Sequence, residues 1–271
     1  MSRRLLLRLP FDPLGLTGLI GLAVLWWAIT FFQWVPTVFL PTPEVVVRAI
    51  GDNLTASRYL ENFHLSKGGL LTALIYTVQN VVLALVLACA LGIGVGLTSA
   101  RVGIVRSLLD PVVMTLGTIP ILVTAPFFLI WFGTDRLAQV VLLVLYDTTL
   151  IYLFAQRAAG NLDPTYEAAA RTMGAGRRKI LFDVYLKGTL PEVFGGIRIA
   201  LAGAWGLEAI SELLGAPDGM GKVISALASA TDVPTIMATV LVLATVAVAF
   251  DAAVAGVFGY ITRWQPEVAH G

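Results

Sequence analysis

Apolar residues run along this chain in long, nearly uncharged blocks, each longer than a buried strand or an ordinary core helix requires. About 20 consecutive apolar residues carry a helix across a bilayer core of about 30 Å. Counted that way, the pattern predicts six membrane spans, at about 14–34, 68–100, 111–133, 137–157, 190–214 and 233–262. The first, around "LGLTGLIGLAVLWWAITFF", closes on a belt of Trp26, Trp27 and Trp34. The second is long enough to tilt. The alternating segments of about ten residues that a membrane barrel needs are absent. The expected fold is an all-α integral membrane protein with one transmembrane domain over 1–271.

Composition agrees: 58% of residues are hydrophobic and 13% charged, with a mean hydropathy of +0.86. A water-soluble surface does not fit that balance. Charge then sets the direction of crossing. With the N-terminus inside, Arg3, Arg4, Arg8, Arg101, Arg106, Arg157, Arg171, Arg177, Arg178, Lys179, Lys187, Arg198 and Arg263 fall on the inner side or at inner span ends. That is 13 of the 18 Lys and Arg residues, and Arg48, Arg58, Lys67, Arg136 and Lys222 fall outside. The positive-inside bias places both termini and the arginine-rich central loop in the cytoplasm. The opening "MSRRLLLRLPFDP" reads as the inner flank of a retained first span, because no small-residue cleavage pattern follows it. Cys89 lies within a span and has no disulfide partner, while His64 and His270 are too few for a metal site.

Two loops carry helix signals. In the exoplasmic segment 40–66, Thr42 stands as N-cap, Pro43 at the first helical position and Glu44 in the first turn, predicting a short amphipathic helix along the outer membrane surface. The cytoplasmic loop 163–187 contains "NLDPTYEAAARTMGAG". Asp163 caps, Pro164 fits the first turn, Ala168, Ala169 and Ala170 propagate helix, and Gly174 supplies a left-handed stop. Alanines let a backbone press closely into a groove on another protein, with Arg177, Arg178 and Lys179 at its rim. A solvated positive-inside loop would explain the arginines but not the capped helix.

"EAAARTMGAG" followed by "LFDVYLKGTLPEVFGGIRIALAGAW" resembles the cytoplasmic coupling loop of permease subunits in ATP-binding-cassette (ABC) importers of the binding-protein-dependent kind. "FLPTPEVVVRAI", "LGIGVGLTSA", "LLDPVVMTLGTIP", "FFLIWFG" and "SELLGAPDGMGKVI" extend the resemblance to the nitrate, sulfonate and taurine branch, over roughly residues 38–262. The resemblance implies a type I importer permease fold in a prokaryotic inner membrane. It also implies two permease subunits, identical or different, lining the path, two cytosolic ATP-binding subunits and an external substrate-binding protein. In the coupling loop it points to Glu167, Ala168, Ala169, Ala170, Arg171 and Gly174. The family's usual acidic position falls on Ala168, with the carboxylate one place earlier at Glu167, a rotation of about 100° on a helix.

No nucleotide site is expected here, so the chain binds no cofactor, is not itself an enzyme and leaves ATP to the partner. "GAPDGMGKV" lacks the Gly and the Ser or Thr of a phosphate loop at Ala216 and Val223. No nucleic-acid partner is expected either. Asp147, Glu208 and Glu212 are costly inside spans and are the translocation-path candidates, Asp147 and Glu208 being expected at the interface between the two permease subunits. A proton-coupled carrier or membrane enzyme built on these carboxylates is the alternative class. No inverted repeat or paired catalytic motif favours it. For cargo, the resemblance favours a small sulfonate, taurine or nitrate-like solute over a neutral or cationic heterocycle such as a vitamin precursor.

Overall fold

The structure, a computed structural model, describes residues 13–57, 60–61 and 68–263. The arginines at 3, 4 and 8, His64, Lys67, His270 and much of the second half of segment 40–66 lie outside the described residues. Within them the chain is helical: α1 Pro13–Phe31, α2 Pro43–Asn53, α3 Gly69–Arg101, α4 Gly103–Thr118, α5 Ile121–Phe132, α6 Arg136–Asn161 and α7 Pro164–Thr172. Then follow α8 Arg177–Leu213, α9 Met220–Ser229 and α10 Val233–Ile261.

Four of these, α3, α6, α8 and α10, are each long and apolar enough to cross a membrane. The expected third span, 111–133, is instead two helices, α4 and α5, bent by 103°. The cause is local. Pro120 disfavours the helical region for the residue before it, and Ile119 is extended at φ −74°, ψ 125°. Counted as one broken crossing, the pair brings the number to five. Helix α1 is 19 residues long and apolar around its circumference, with Leu16, Leu19, Leu22 and Leu25 all exposed.

Helix α6 is the axis of the molecule, packed by α3 on one side and α8 on another. The close approach to α3 depends on small residues. Ala88 is fully buried; a Cβ on Gly92 would stand 2.8 Å from Ile151, and one on Gly96 2.8 Å from Ala155 and 2.9 Å from the Tyr152 carbonyl. Val81, Leu85, Leu142, Leu143, Leu201 and Trp205 fill the core around that contact.

Three segments differ from expectation. Residues 177–187 are not loop: α8 starts at Arg177, passes through a π-helical stretch at Ile180–Leu186 and continues into the fifth span. The segment before the sixth span folds as α9, whose Met220, Val223 and Leu227 are buried with Leu60, Leu70 and Leu74. Helix α2 starts at Pro43 as predicted, but Thr42 makes no side-chain cap, and the helix packs on α10 with Val46 fully buried.

Candidate functional site

Helix α7 is built by its caps. The Asp163 carboxylate accepts from the Thr165 amide at 2.8 Å, and Pro164 occupies the first turn. At the other end Gly174 sits at φ +78°. The Ala175 and Gly174 amides there donate to the carbonyls of Ala170 at 2.9 Å and Arg171 at 3.0 Å, which completes a Schellman stop. Ala170 is buried, while Ala168, Ala169 and Gly174 are exposed. Tyr166 and Met173, at 62% and 81% exposure, flank Ala169 on the outward face, one helical turn or so to either side.

Glu167 turns the other way. Its Oε1 accepts from Arg101, at the end of α3, at 2.8 Å and from Arg171 at 2.6 Å. Its Oε2 accepts from the Tyr185 hydroxyl of α8 at 2.6 Å, and the Arg101 guanidinium lies 4.4 Å over the Tyr185 ring. The one-residue shift noted in the sequence therefore directs the carboxylate into the chain itself. The Tyr185 hydrogen bond, then Arg171, hold the Glu167 carboxyl below its ordinary value.

The three carboxylates expected on a path have no exposed surface; all are enclosed by the chain's own helices, and Asp147 and Glu208 do not reach an outer face. Glu212 holds the start of α9: it accepts from the Thr77 hydroxyl at 2.7 Å and the Gly221 amide at 2.8 Å. The Met220 amide donates to the same Thr77 oxygen at 3.0 Å. The residue before this helix, Gly219, is at φ +111°, and a Cβ there would collide with the Glu212 carboxyl group. The amides of "GAPDGMGKV" that superficially suggested a phosphate loop thus serve Glu212 and Thr77. Glu208 accepts from Asn80 at 2.6 Å and Ser211 at 3.2 Å. Asn80 also donates to Gln139 at 2.8 Å and accepts from Arg136. The two carboxylates form one polar cluster joining α3, α6, α8 and α9. Asp147 stands apart, and neither of its oxygens has a hydrogen-bond partner among the described residues.

Sequence reasoning missed most of these partners. Arg101 entered only as a topological charge, and Tyr185, Thr77, Asn80 and Gln139 not at all. A polar residue in an otherwise apolar span was the available signal for Thr77, Asn80 and Gln139. Asp251 is paired bidentately with Arg198, at 2.8 Å for one of the two bonds. A further network near the C-terminal ends of α3 and α6 joins Asp110 to Tyr152 at 2.7 Å and Tyr152 to Ser99 at 2.7 Å.

Residues 90–265, more than half of the chain, match the family described as the binding-protein-dependent transport system inner membrane component. The taurine transport system permease protein TauC of Escherichia coli is 27% identical over 270 residues, 98% of this chain and 96% of that one. The formylaminopyrimidine transport permease protein ThiX of Halalkalibacterium halodurans is 27% identical over 227 residues, 83% of this chain and 86% of the relative. Among solved structures, an inward-facing MetNI methionine ABC transporter matches with a TM-score of 0.57 at 24% identity, over 69% of this chain and 92% of that one.

Proposed function

The chain belongs to the family of binding-protein-dependent transport system inner membrane components, the permease subunits of ABC importers, and from that premise we propose how it works and what it carries. It pairs with a second permease subunit to form the path for a small sulfonate-class solute, taurine being the first candidate. An external binding protein delivers the solute, and two cytosolic ATP-binding subunits supply the energy. The similarity to the taurine permease over almost the whole of both chains supports the cargo class. The chain crosses a prokaryotic inner membrane six times with both termini inside, the arginine distribution supporting that sidedness.

The observation that carries the reading is α7: a doubly capped helix whose exposed face is Tyr166, Ala169 and Met173 and whose carboxylate is turned inward. The alanine face, with Ala168, Arg171 and Gly174 beside it, docks into the ATPase. Glu167 carries the resulting motion to α3 through Arg101 and to α8 through Tyr185. Both helices end at the outer polar cluster, where Thr77 and Asn80 of α3 meet Glu212 and Glu208 of α8. Glu212 accordingly holds α9 against α3 and Glu208 holds α8 to α3, rather than touching cargo.

Ala169→Arg decides the docking assignment, because Ala169 is exposed and its replacement disturbs no core. Co-expressed with its partner subunits, the variant should assemble in the membrane and lose solute-stimulated ATP hydrolysis and uptake. Wild-type uptake would remove α7 from the ATPase contact. Gly174→Arg adds backbone strain at φ +78° and should be the more severe of the two. Calorimetry of the partner binding protein with taurine and with formylaminopyrimidine separates the sulfonate reading from the heterocycle one.

A further inference from the structure

Two hollows between α3 and α8 meet end to end. The first is an apolar groove of about 430 Å³ running along Ala90, Ile93, Gly94 and Leu97 of α3 against Phe182 and Leu186 of α8. The second is a pocket of about 420 Å³ lined by Thr98, Arg101, Val102, Arg171, Arg177 and Leu181. Thr98 and Leu181 line both, so the greasy groove opens into a chamber with three guanidinium groups. One carboxylate, Glu167, serves Arg101 and Arg171. Arg177 has no ion pair among the described residues, and Arg101 keeps a buried Nη1 without a partner. The chamber therefore retains net positive charge beside the first turn of α8, where the helix dipole also favours an anion.

We propose that this composite site binds one anionic phospholipid of the inner leaflet, its phosphate among Arg101, Arg171 and Arg177 and an acyl chain in the groove. Dimensions support it: Ala90 to Arg101 spans about 16 Å of helix, close to the half-thickness of about 15 Å of a bilayer core. Charge supports it too, since basic pockets between transmembrane helices on the cytoplasmic side select acidic headgroups. An acidic segment of a cytosolic protein could meet the arginines but would leave the groove, which climbs toward the middle of the membrane, empty. The lipid would tie together the inner ends of α3 and α8, the two helices that Glu167 also joins. The proposal rests on the inward placement of the coupling loop.

Native mass spectrometry of the full chain in mild detergent tests it, with phosphatidylglycerol, phosphatidylcholine and inorganic phosphate as probes. The expected result is one phosphatidylglycerol retained per chain, in at least fivefold preference to phosphatidylcholine and not displaced by millimolar phosphate. Arg177→Gln should weaken retention about fivefold, the effect of one arginine at a membrane surface. Gly94→Leu should weaken it without touching a charge, because a Cβ on Gly94 meets nothing within 4 Å and extends into the groove. Equal retention of the two lipids, or no change in either variant, overturns the proposal. Displacement by phosphate alone makes the chamber a site for free anions. Loss of the lipid on adding the ATP-binding subunits gives the pocket to a protein partner, and either result also overturns it. Lipid retention is read on the permease alone, so failure here is distinct from failure of the permease to couple to an ATPase.

Discussion

Removing the carboxylate of Glu167 should loosen α7 while leaving the membrane-spanning body folded. Of its contacts, the (i, i+4) pair with Arg171 contributes about 0.3–0.5 kcal/mol, since the Arg171 side chain is 60% exposed. Arg101 and Tyr185 matter more. A hydrogen bond to a charged group is worth about 1.5–3 kcal/mol, and with the Arg101 and Glu167 side chains each 20% exposed, screening reduces that to about 1–2 kcal/mol per contact. In a double-mutant cycle of Arg101→Gln and Glu167→Gln, the coupling energy should therefore be about 1–2 kcal/mol. Hydrogen exchange of the α7 amides in the assembled transporter reads it directly. Arg101→Gln should speed exchange roughly tenfold, about 1.4 kcal/mol in an opening equilibrium; Glu167→Gln, which also weakens the Tyr185 and Arg171 contacts, should speed it more, and the double variant should go little further than Glu167→Gln alone. Solute stimulation of the ATPase should fall in parallel. Strictly additive exchange rates together with normal coupling would refute the strut.

The same latch fixes a pH dependence. Glu167 is held below its ordinary value, first by the Tyr185 hydroxyl and then by Arg171. A group whose folded-state value is lowered contributes its full stabilisation above the unfolded value, about 4.3 for a glutamate. That contribution is lost as pH falls through the lowered value. Exchange protection of α7 should thus be flat around neutrality and collapse only in acid, and Glu167→Gln should abolish the acid transition.

Glu212→Ala strands the Gly221 amide in a buried site, while the Thr77 hydroxyl keeps only the Ala73 carbonyl at 3.2 Å; at about 1–3 kcal/mol for an unsatisfied group, the detergent-solubilised protein should melt several degrees lower, whereas Glu212→Gln should retain most of its stability. Asp147→Asn should leave the melting temperature within about 2 °C of wild type, less than about 1 kcal/mol for a chain of this size, because neither carboxylate oxygen has a protein partner to lose; a large drop would reveal an interaction made only in the assembled transporter. Gly96→Val should prevent accumulation of the protein by driving α3 off α6, while Gly94→Ala, on the open side of the same helix, should be silent.

Legibility followed period and length. Apolar runs gave α3, α6 and α10 to within a few residues, because a lipid-facing helix needs no information beyond its hydropathy. The caps of α7 were readable for a different reason: Asp163, Pro164 and Gly174 act through local backbone geometry that neighbours do not alter. What failed was tertiary. The 103° break at Ile119–Pro120 was visible as a proline, but prolines also sit inside continuous helices here, Pro126 in α5 and Pro191 in α8. Hydropathy does not separate the cases. The carboxylates were recognised as needing compensation, yet their partners lie 128 residues away for Glu208 and Asn80 and 135 for Glu212 and Thr77, a separation at which no local pattern operates.

That long separation bears on how such a chain transmits force. Polar contacts join α3 and α8 near both ends of the pair: Arg101 at the C-terminal end of α3 with Tyr185 near the start of α8, and Thr77 and Asn80 toward the start of α3 with Glu208 and Glu212 at the end of α8. From Arg101 to Thr77 along α3 is about 36 Å, and between them the contact with α6 is made of small residues packed too closely to slide. Coupling over that distance requires an element with two arrangements rather than a continuously yielding one. The small-residue seam of α3 and α6 favours motion as a unit. The π-helical stretch Ile180–Leu186, which contains Tyr185, is the irregular place where α8 can change register against α7. A displacement of α7 would then enter as a shift at Tyr185 and leave as a tilt of the α3–α6 pair, and the bonds of Thr77 and Glu212 that seat α9 are the first contacts at the far end of α3 that such a tilt would strain.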